Sequence, residues 1–532
     1  MTTLTGTGPL TKLALRRDRT MLVIWFYALT AFVAATVYGF GRLYPTAAGR
    51  IGFITAAGHN PALLSFYGPL YGTALGSLTA WRDAAFGSLG TGLMSIFLVV
   101  RHTRAEEESG RLELIGSAVV GRHAALVTAM LTACLANLTA ATLMAVAAIA
   151  LGLPAAGTVA LVAGIAGCGL VFTGVAAITA QVGPTSRSAR GLAIGGLGVV
   201  FLLRAVGDSA GQGGPRWLSW LSPVGWAELD RAFGAVRWWV LVLPLVTAVL
   251  LAAAGARLAV RRDYDAGMLP QRAGPAAGAR WLGSPLALAW RLHRPTLLAW
   301  TFGGLVYGVV IGASAKGIGS LLSSSAVRRV VLRLGGQAAI SNAYLAAILS
   351  FSGLIAAGFV ISAVLRLRAE ETGGRADPVL AAGVSRAAWG LSHTLVAALG
   401  TVLILAVTGF GAGLGYGYRT GSGGAELARL TGAGLAQAPA ALVLGGIAVA
   451  LFGLAPRASV AVSWSALGVA VLMLFLGATL GLSHWLLDIS PYQHLPKLPG
   501  GTVSVAPLAW LGGIAVALGA AGVIGLRRRD IG

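Results

Sequence analysis

Residues 104–111 read RAEEESGR and residues 368–375 read RAEETGGR: one charged octet written twice, 264 residues apart. The chain around them is 56% hydrophobic and only 11% charged. Its mean hydropathy is +0.80 over 532 residues. The apolar residues come in long blocks, and a block of about 20 apolar residues is what a helix needs to cross a bilayer. Blocks near 21–41, 84–101, 123–151, 157–182, 191–207 and 235–257 precede the join, and blocks near 296–314, 344–365, 387–413, 434–455, 459–483 and 506–526 follow it. Lipid-exposed backbone must satisfy its own hydrogen bonds, so these blocks predict twelve helical spans. The fold class expected is an all-α polytopic membrane protein. The first block is full length, with no small-residue cleavage site behind it, so it reads as a span and not as a signal peptide.

Three further matches keep the same order. RRDRTMLVIW at 16–25 resembles RLHRPTLLAW at 291–300, WLSWLSP at 217–223 resembles WLLDISP at 485–491, and RRD at 261–263 recurs at 528–530. Four matches in register imply two parallel six-helix halves, residues 1–260 and 286–532, around a central cavity. The join, 261–285, is rich in Gly, Ala and Pro and reads as a cytoplasmic linker.

The net charge is +22, from 39 basic and 17 acidic residues. In a chain of this hydropathy the basic residues sit in loops and set topology, and no nucleic-acid partner is implied. The densest arginine clusters, at 16–19, 257–262 and 527–529, fall on the side of the N-terminus. That side reads as cytoplasmic, and an even number of spans puts both termini there. Residues 42–83 then lie outside.

Each octet falls in the inner loop after the second span of its half. Glu107 and Arg111, and likewise Glu371 and Arg375, are four apart in the favourable order for helical ion pairs. The expectation is a short charged helix lying across the inner surface, with Gly110 and Gly374 leaving bare backbone. Asp377 and Pro378 stand where the first copy has Glu113 and Leu114, so the second helix is expected to end earlier. A polar loop alone has no reason to keep R-A-E-E-x-x-G-R twice; two identical docking surfaces for a symmetric dimer do. An amphipathic stretch before each half, carrying Arg16 and Arg19 or Arg291 and Arg294, reads as an interfacial helix.

Several chemistries lack their residues. No G-x-x-x-x-G-K-[ST] phosphate loop exists, since none of Lys12, Lys316 and Lys497 follows a glycine. No histidine spacing fits a metal site, and Cys134 and Cys168 lie singly in apolar blocks. Ser beside His in SHTL and GLSHW is adjacency, not triad geometry. With these boundaries no carboxylate falls mid-span; Asp83, Asp208, Glu228 and Asp230 fall in outer loops or at span ends. That weakens proton coupling, which places a titratable carboxylate inside the bilayer. Trp25, Tyr27, Trp300 and Phe302 near span ends are candidates to line a cavity, against their default role in the interfacial aromatic belt.

These features resemble the type 2 ABC exporter permeases of actinobacteria, described as exporters of polyketide antibiotics and other drugs. The resemblance rests on the two octet loops, the S-P outer segments and the RRRD at 527–530. It implies a permease of the bacterial inner membrane with no catalytic site and no cofactor of its own. Two copies of a separate ABC ATPase would bind ATP and Mg. Arg104, Glu106, Glu107, Gly110 and Arg111, with Arg368, Glu370, Glu371, Gly374 and Arg375, would form the coupling elements, and lipophilic small molecules would be moved outward through the lipid bilayer. The alternative is a proton-coupled major-facilitator-type drug carrier. That family's loop has a leading glycine and an Asp-Arg pair, which RHTRAEEESGR lacks.

Overall fold

A computed structural model describes residues 3–58, 61–116, 120–209, 214–261, 267–269, 277–315, 336–476 and 483–529. The chain divides into two compact units, Met1–Gly274 and Pro275–Gly532. Most of the expected linker (262–266 and 270–276), with Asp263 and Asp265, and the terminal Asp530 lie outside the described residues. All regular structure among the described residues is helical, and eleven helices are long and apolar enough to span a membrane. The protein is an all-α, multi-pass membrane protein.

The first unit runs α1 (Thr7–Leu43), α2 (Ala47–Ala57), α3 (Pro61–Tyr67), α4 (Leu75–His102), α5 (Arg104–Glu108), α6 (Arg111–Gly116), α7 (Ala124–Ala150), α8 (Ala155–Val182), α9 (Ser186–Ser209), α10 (Pro223–Leu229) and α11 (Val242–Arg261). The second runs α12 (Pro285–Ala315), α13 (Gly336–Thr372), α14 (Ala376–Ala381), α15 (Arg386–Thr420), α16 (Gly423–Leu435), α17 (Ala438–Leu454), α18 (Ser459–Leu476), α19 (His484–Leu487) and α20 (Val505–Arg528). The eleventh expected span, 459–483, is described as far as Leu476; 477–482 lie outside the described residues. The two units repeat one packing scheme. In the first, α1 packs on α7, α4 on α8 and α8 on α11; in the second, α12 packs on α15, α13 on α17 and α17 on α20.

The core of the first unit is α4 against α8. Small and hydroxylated residues dominate that seam, because helices in lipid gain nothing from burying apolar surface and associate by close packing and hydrogen bonds. Thr91 Oγ1 donates to the Ile165 carbonyl at 2.8 Å, and Asn137 Nδ2 of α7 donates to Ser95 Oγ at 2.8 Å. The second unit uses a glycine ladder instead. Gly304, Gly308 and Gly312 of α12 lie against Thr408 and Ala412 of α15 so closely that a Cβ at Gly308 would collide with the Thr408 carbonyl.

Two expectations are corrected here. The amphipathic stretches are not separate interfacial helices: Thr7–Leu43 and Pro285–Ala315 are each continuous, so Arg16, Arg19, Arg291 and Arg294 are exposed residues early in long helices. The second span begins at Leu75 and not near residue 84, so Asp83 lies more than two turns inside α4, fully buried, with Thr36 Oγ1 donating to its carboxylate at 2.8 Å. Asp18 is likewise three turns inside α1 and buried. Residues 42–83 are therefore not one loop; they hold α2, α3 and the first turns of α4.

Candidate functional site

In the first octet the chain leaves α4 at Thr103, makes the single turn of α5, and reverses at Gly110, whose φ of +69° suits a residue without a Cβ. In the second, α13 continues unbroken to Thr372, and Gly374 at φ +65° makes the same reversal. A six-residue helix, α6 or α14, follows each glycine. The octet is thus a helix end, a left-handed turn and a new helix start, and the glycines supply turns and not bare backbone. Pro378 does not break the second copy: it is the third residue of α14, in the first turn, where a helix has no use for its N–H.

The turn also separates the residues expected to pair. Arg111 comes no nearer than 4.0 Å to Glu106, and Arg375 reaches Glu370 at 3.9 Å, so neither pairs with the acid four residues before it. The acids turn inward instead. Arg104, 1% exposed, holds Glu107 at 2.7 Å, and its Nε and Nη2 donate to the Pro184 carbonyl at the α8–α9 junction. Arg17 of α1 holds Glu106 at 2.5 Å. Asp18 receives Arg101 at 3.0 Å and His102 at 2.5 Å. Glu108, exposed, caps α9 by accepting from Ser186 N and Oγ.

The second octet is held by other hands. Arg529, just past α20, donates to both oxygens of Glu371, and Arg368 lies 3.5 Å away. Arg366 holds Glu370 at 3.3 Å and donates to the Leu292 carbonyl of α12. At the position of Asp18 in the repeat stands His293, which meets His393 of α15 at 3.0 Å between ring nitrogens. Glu106, Glu107, Glu370 and Glu371 are all buried; Arg111, Glu113, Arg375 and Asp377 remain exposed.

The four aromatic candidates separate. Tyr27 and Phe302 point outward, 76% and 64% exposed. Trp25 packs into the first unit's core beside Phe97. Trp300 alone lines a groove, about 390 Å³, with Tyr307 of α12, Ser352 and Ile355 of α13, and Thr408 of α15. A larger groove of about 650 Å³ between α13, α15, α17 and α20 is lined by Val360, Leu391, Thr394, Val449, Val516 and other small or aliphatic residues. Sequence reading reached the first groove only through Trp300 and missed the second, along with the His293–His393 pair, since their members lie far apart in the chain. No group of His, Cys, Asp and Glu suited to a metal ion occurs among the described residues, and both cysteines are free.

Eleven long apolar helices in two like-packed units, each with a charged turn of the same sequence, define a multi-pass membrane protein built from a repeated helical unit. Residues 282–527 match the family described as "Multidrug efflux system permease Rv1217c, C-terminal domain". Along 530 residues, 99% of this chain and 95% of the relative, it is 41% identical to the multidrug efflux system permease protein Rv1217c of Mycobacterium tuberculosis (strain ATCC 25618 / H37Rv). The chain belongs to this family of multidrug efflux permeases.

Proposed function

We propose that the chain is the membrane permease of an ATP-driven exporter in the bacterial inner membrane, moving lipophilic drugs or metabolites outward with two copies of a separate ABC ATPase. ATP and Mg belong to that partner. The single observation that carries the reading is the duplicated turn: two octets, each turning at a left-handed glycine, with an exposed arginine next and an exposed acid in the six-residue helix that follows the turn. The roles within the octet change from those expected of it. Buried Glu106, Glu107, Glu370 and Glu371, with Arg104 and Arg368, fix the turn, while Arg111, Glu113, Arg375 and Asp377 face the ATPase. Both termini and both octets are cytoplasmic in this reading. The groove beside Trp300 suits a lipophilic aromatic molecule, because it offers a ring face and three hydroxyls in an otherwise apolar wall.

A specific observation favours a second reading, the proton-coupled carrier: Asp83 is a fully buried carboxylate within a spanning helix. Reconstitution separates the two. With the cognate ATPase in vesicles, substrate should stimulate ATP hydrolysis, and mass measurement should find one permease with two ATPase subunits. Flux driven by a proton gradient through the purified permease alone would refute the ATP-driven reading.

A further inference from the structure

The end of α4 opposite the octet holds a cluster of buried charge that the export mechanism does not use. Arg204 of α9, 0% exposed, holds Glu228 of α10 at 2.5 Å, lies 3.5 Å from Asp208, and donates to the Ser65 and Phe66 carbonyls. Two residues beyond Glu228, Asp230 is also 0% exposed, yet no ion pair reaches it among the described residues. Its Oδ1 accepts from Ala232 N at 3.0 Å, and its Oδ2 has no hydrogen-bond partner among the described residues. The carboxyl fits against Gly164 of α8, where a Cβ would crowd it. Beside it is a cavity of about 20 Å³, bounded by Tyr71, Ser77, Trp81 and Glu228. That is room for about one water, too little for a drug and enough for a proton donor.

Asp230 also begins a strained turn. Among the described residues, Arg231 and Phe233 are the non-glycine residues with positive φ, at 54° and 62°. Such conformations persist only where surrounding contacts impose them. Here Arg237 N donates to the Asp230 carbonyl at 2.7 Å, Gly234 N donates to Arg231 O at 2.9 Å, and the Phe233 ring fills the space above Gly76 of α4 and Gly157 of α8. The repeat shows that this fold does not need the charges. In the register of WLSWLSP against WLLDISP, Glu228 and Asp230 correspond to Pro496 and Leu498, and in the octet register Asp83 corresponds to Ala347. Leu498 packs against an apolar cluster around Leu345 and Leu349.

We propose that Asp230 is a proton-binding site whose protonation locks the 229–237 turn onto α4 and α8, so that the first unit senses pH at the end of α4 opposite its octet. Neutral Asp230 keeps its bond to Ala232 and stays buried. Ionised Asp230 has no countercharge and needs water, and the turn lifts, withdrawing Phe233 from Gly76 and Gly157. Helix α4, about 42 Å long at 1.5 Å per residue, connects this site to the octet. Burial raises the carboxyl to about 7 against the opposing pull of the Ala232 N–H. Among the described residues no neighbouring charge pairs with this carboxyl. Glu228, itself pushed up by burial, and Asp208 face Arg204; Arg231 covers the Tyr71 ring at 4.7 Å; Asp83 is held by Thr36; and Arg237 reaches Asp230 through its backbone N–H. The inference stands whichever way transport is energised.

The sign follows from linkage. A carboxyl raised in the closed turn favours closure fully at low pH, and closure is lost as pH rises from the ordinary value of 3.8 towards 7. Hydrogen exchange of the full-length protein in nanodiscs tests this over peptides covering 229–237, corrected for intrinsic rates. Protection should fall about tenfold per pH unit between pH 5 and 6.5, and level off above about pH 7. In D230N it should stay flat and high. A wild-type profile independent of pH, or a D230N profile with the wild-type slope, overturns the proposal. If D230N does not accumulate, the wild-type profile and a carboxylic-acid infrared band titrating near pH 7 decide, and absence of either overturns it.

Discussion

Arg529 forks onto Glu371: its Nη1 and Nη2 lie 2.7 and 2.8 Å from the two carboxylate oxygens, 158 residues away along the chain. Its guanidinium also covers the Phe452 ring at 4.8 Å, and Arg386 donates to its carbonyl. The residue after the last helix therefore ties the second octet to α15 and α17. In the first unit this work falls to Arg104, inside the octet.

Substituting Arg529 by Ala should leave Glu371 buried without its bidentate partner, Arg368 at 3.5 Å being a weaker one. Losing charged hydrogen bonds of this kind costs about 1–3 kcal/mol. The expected outcome is a lower thermal unfolding midpoint and new protease cleavage near Thr372–Arg375. R528A, at the exposed neighbouring residue, should do neither.

Arg204, like Arg104, is a fully buried arginine of the first unit, and it is shared among two carboxylates and two carbonyls. R204M strands Glu228 and Asp208, and leaving a buried charge unpaired costs about 3–5 kcal/mol. E228Q keeps an acceptor for Arg204 and should cost clearly less. Unfolding of the two variants in detergent, compared at one pH, checks the order; equal loss would show that the broken Arg204–Glu228 pair accounts for the whole effect and that the packing of Arg204 on Phe201, which E228Q keeps, adds nothing.

Much of the fold was legible because a spanning helix carries its whole signature within about 20 residues. The octet was legible as a repeat but not as a shape. Glu107 and Arg111 have helical spacing, yet Gly110 takes a left-handed turn between them, and sequence spacing predicts contact only while the helix continues. Nor could periodicity say which way the acids face. Glu106 turns inward because Arg17, 89 residues earlier, waits for it, and Glu371 because Arg529 does. Asp83 was misread for a simpler reason: the first turns of its helix carry Gly76, Ser77 and Thr79, too polar to join the apolar block, while those residues are buried against the rest of the unit.

Topology has a direct test. Gly58 closes α2 and Ser109 is exposed at the first octet, at opposite ends of the first unit's helices. Cysteine at Gly58 should react with an impermeant maleimide on intact cells, and cysteine at Ser109 should react only after lysis. Both native cysteines lie within spanning helices, and Cys168 is buried, so a background without them should behave as wild type. Labelling of Ser109→Cys in sealed cells would invert the orientation and remove the octets from any cytoplasmic partner.

The decisive variants for coupling are the exposed arginines and not the buried acids. Reversing Glu107 or Glu371 would place a lysine against Arg104 or Arg529, so loss of transport there reports a damaged turn. Arg111 and Arg375 have side chains 57% and 61% exposed, and their nearest acids are about 4 Å away. Exposed pairs of this kind contribute about 0–1 kcal/mol to folding, so R111E/R375E should express and unfold as wild type does. At a docking surface the same reversal sets like charge against a partner shaped for arginine, which costs several kcal/mol. The expected result is loss of ATPase co-purification and of substrate-stimulated hydrolysis, with each single reversal intermediate. Wild-type efflux and co-purification from the folded double variant would show that α6 and α14 are solvated loops and that the ATPase docks elsewhere.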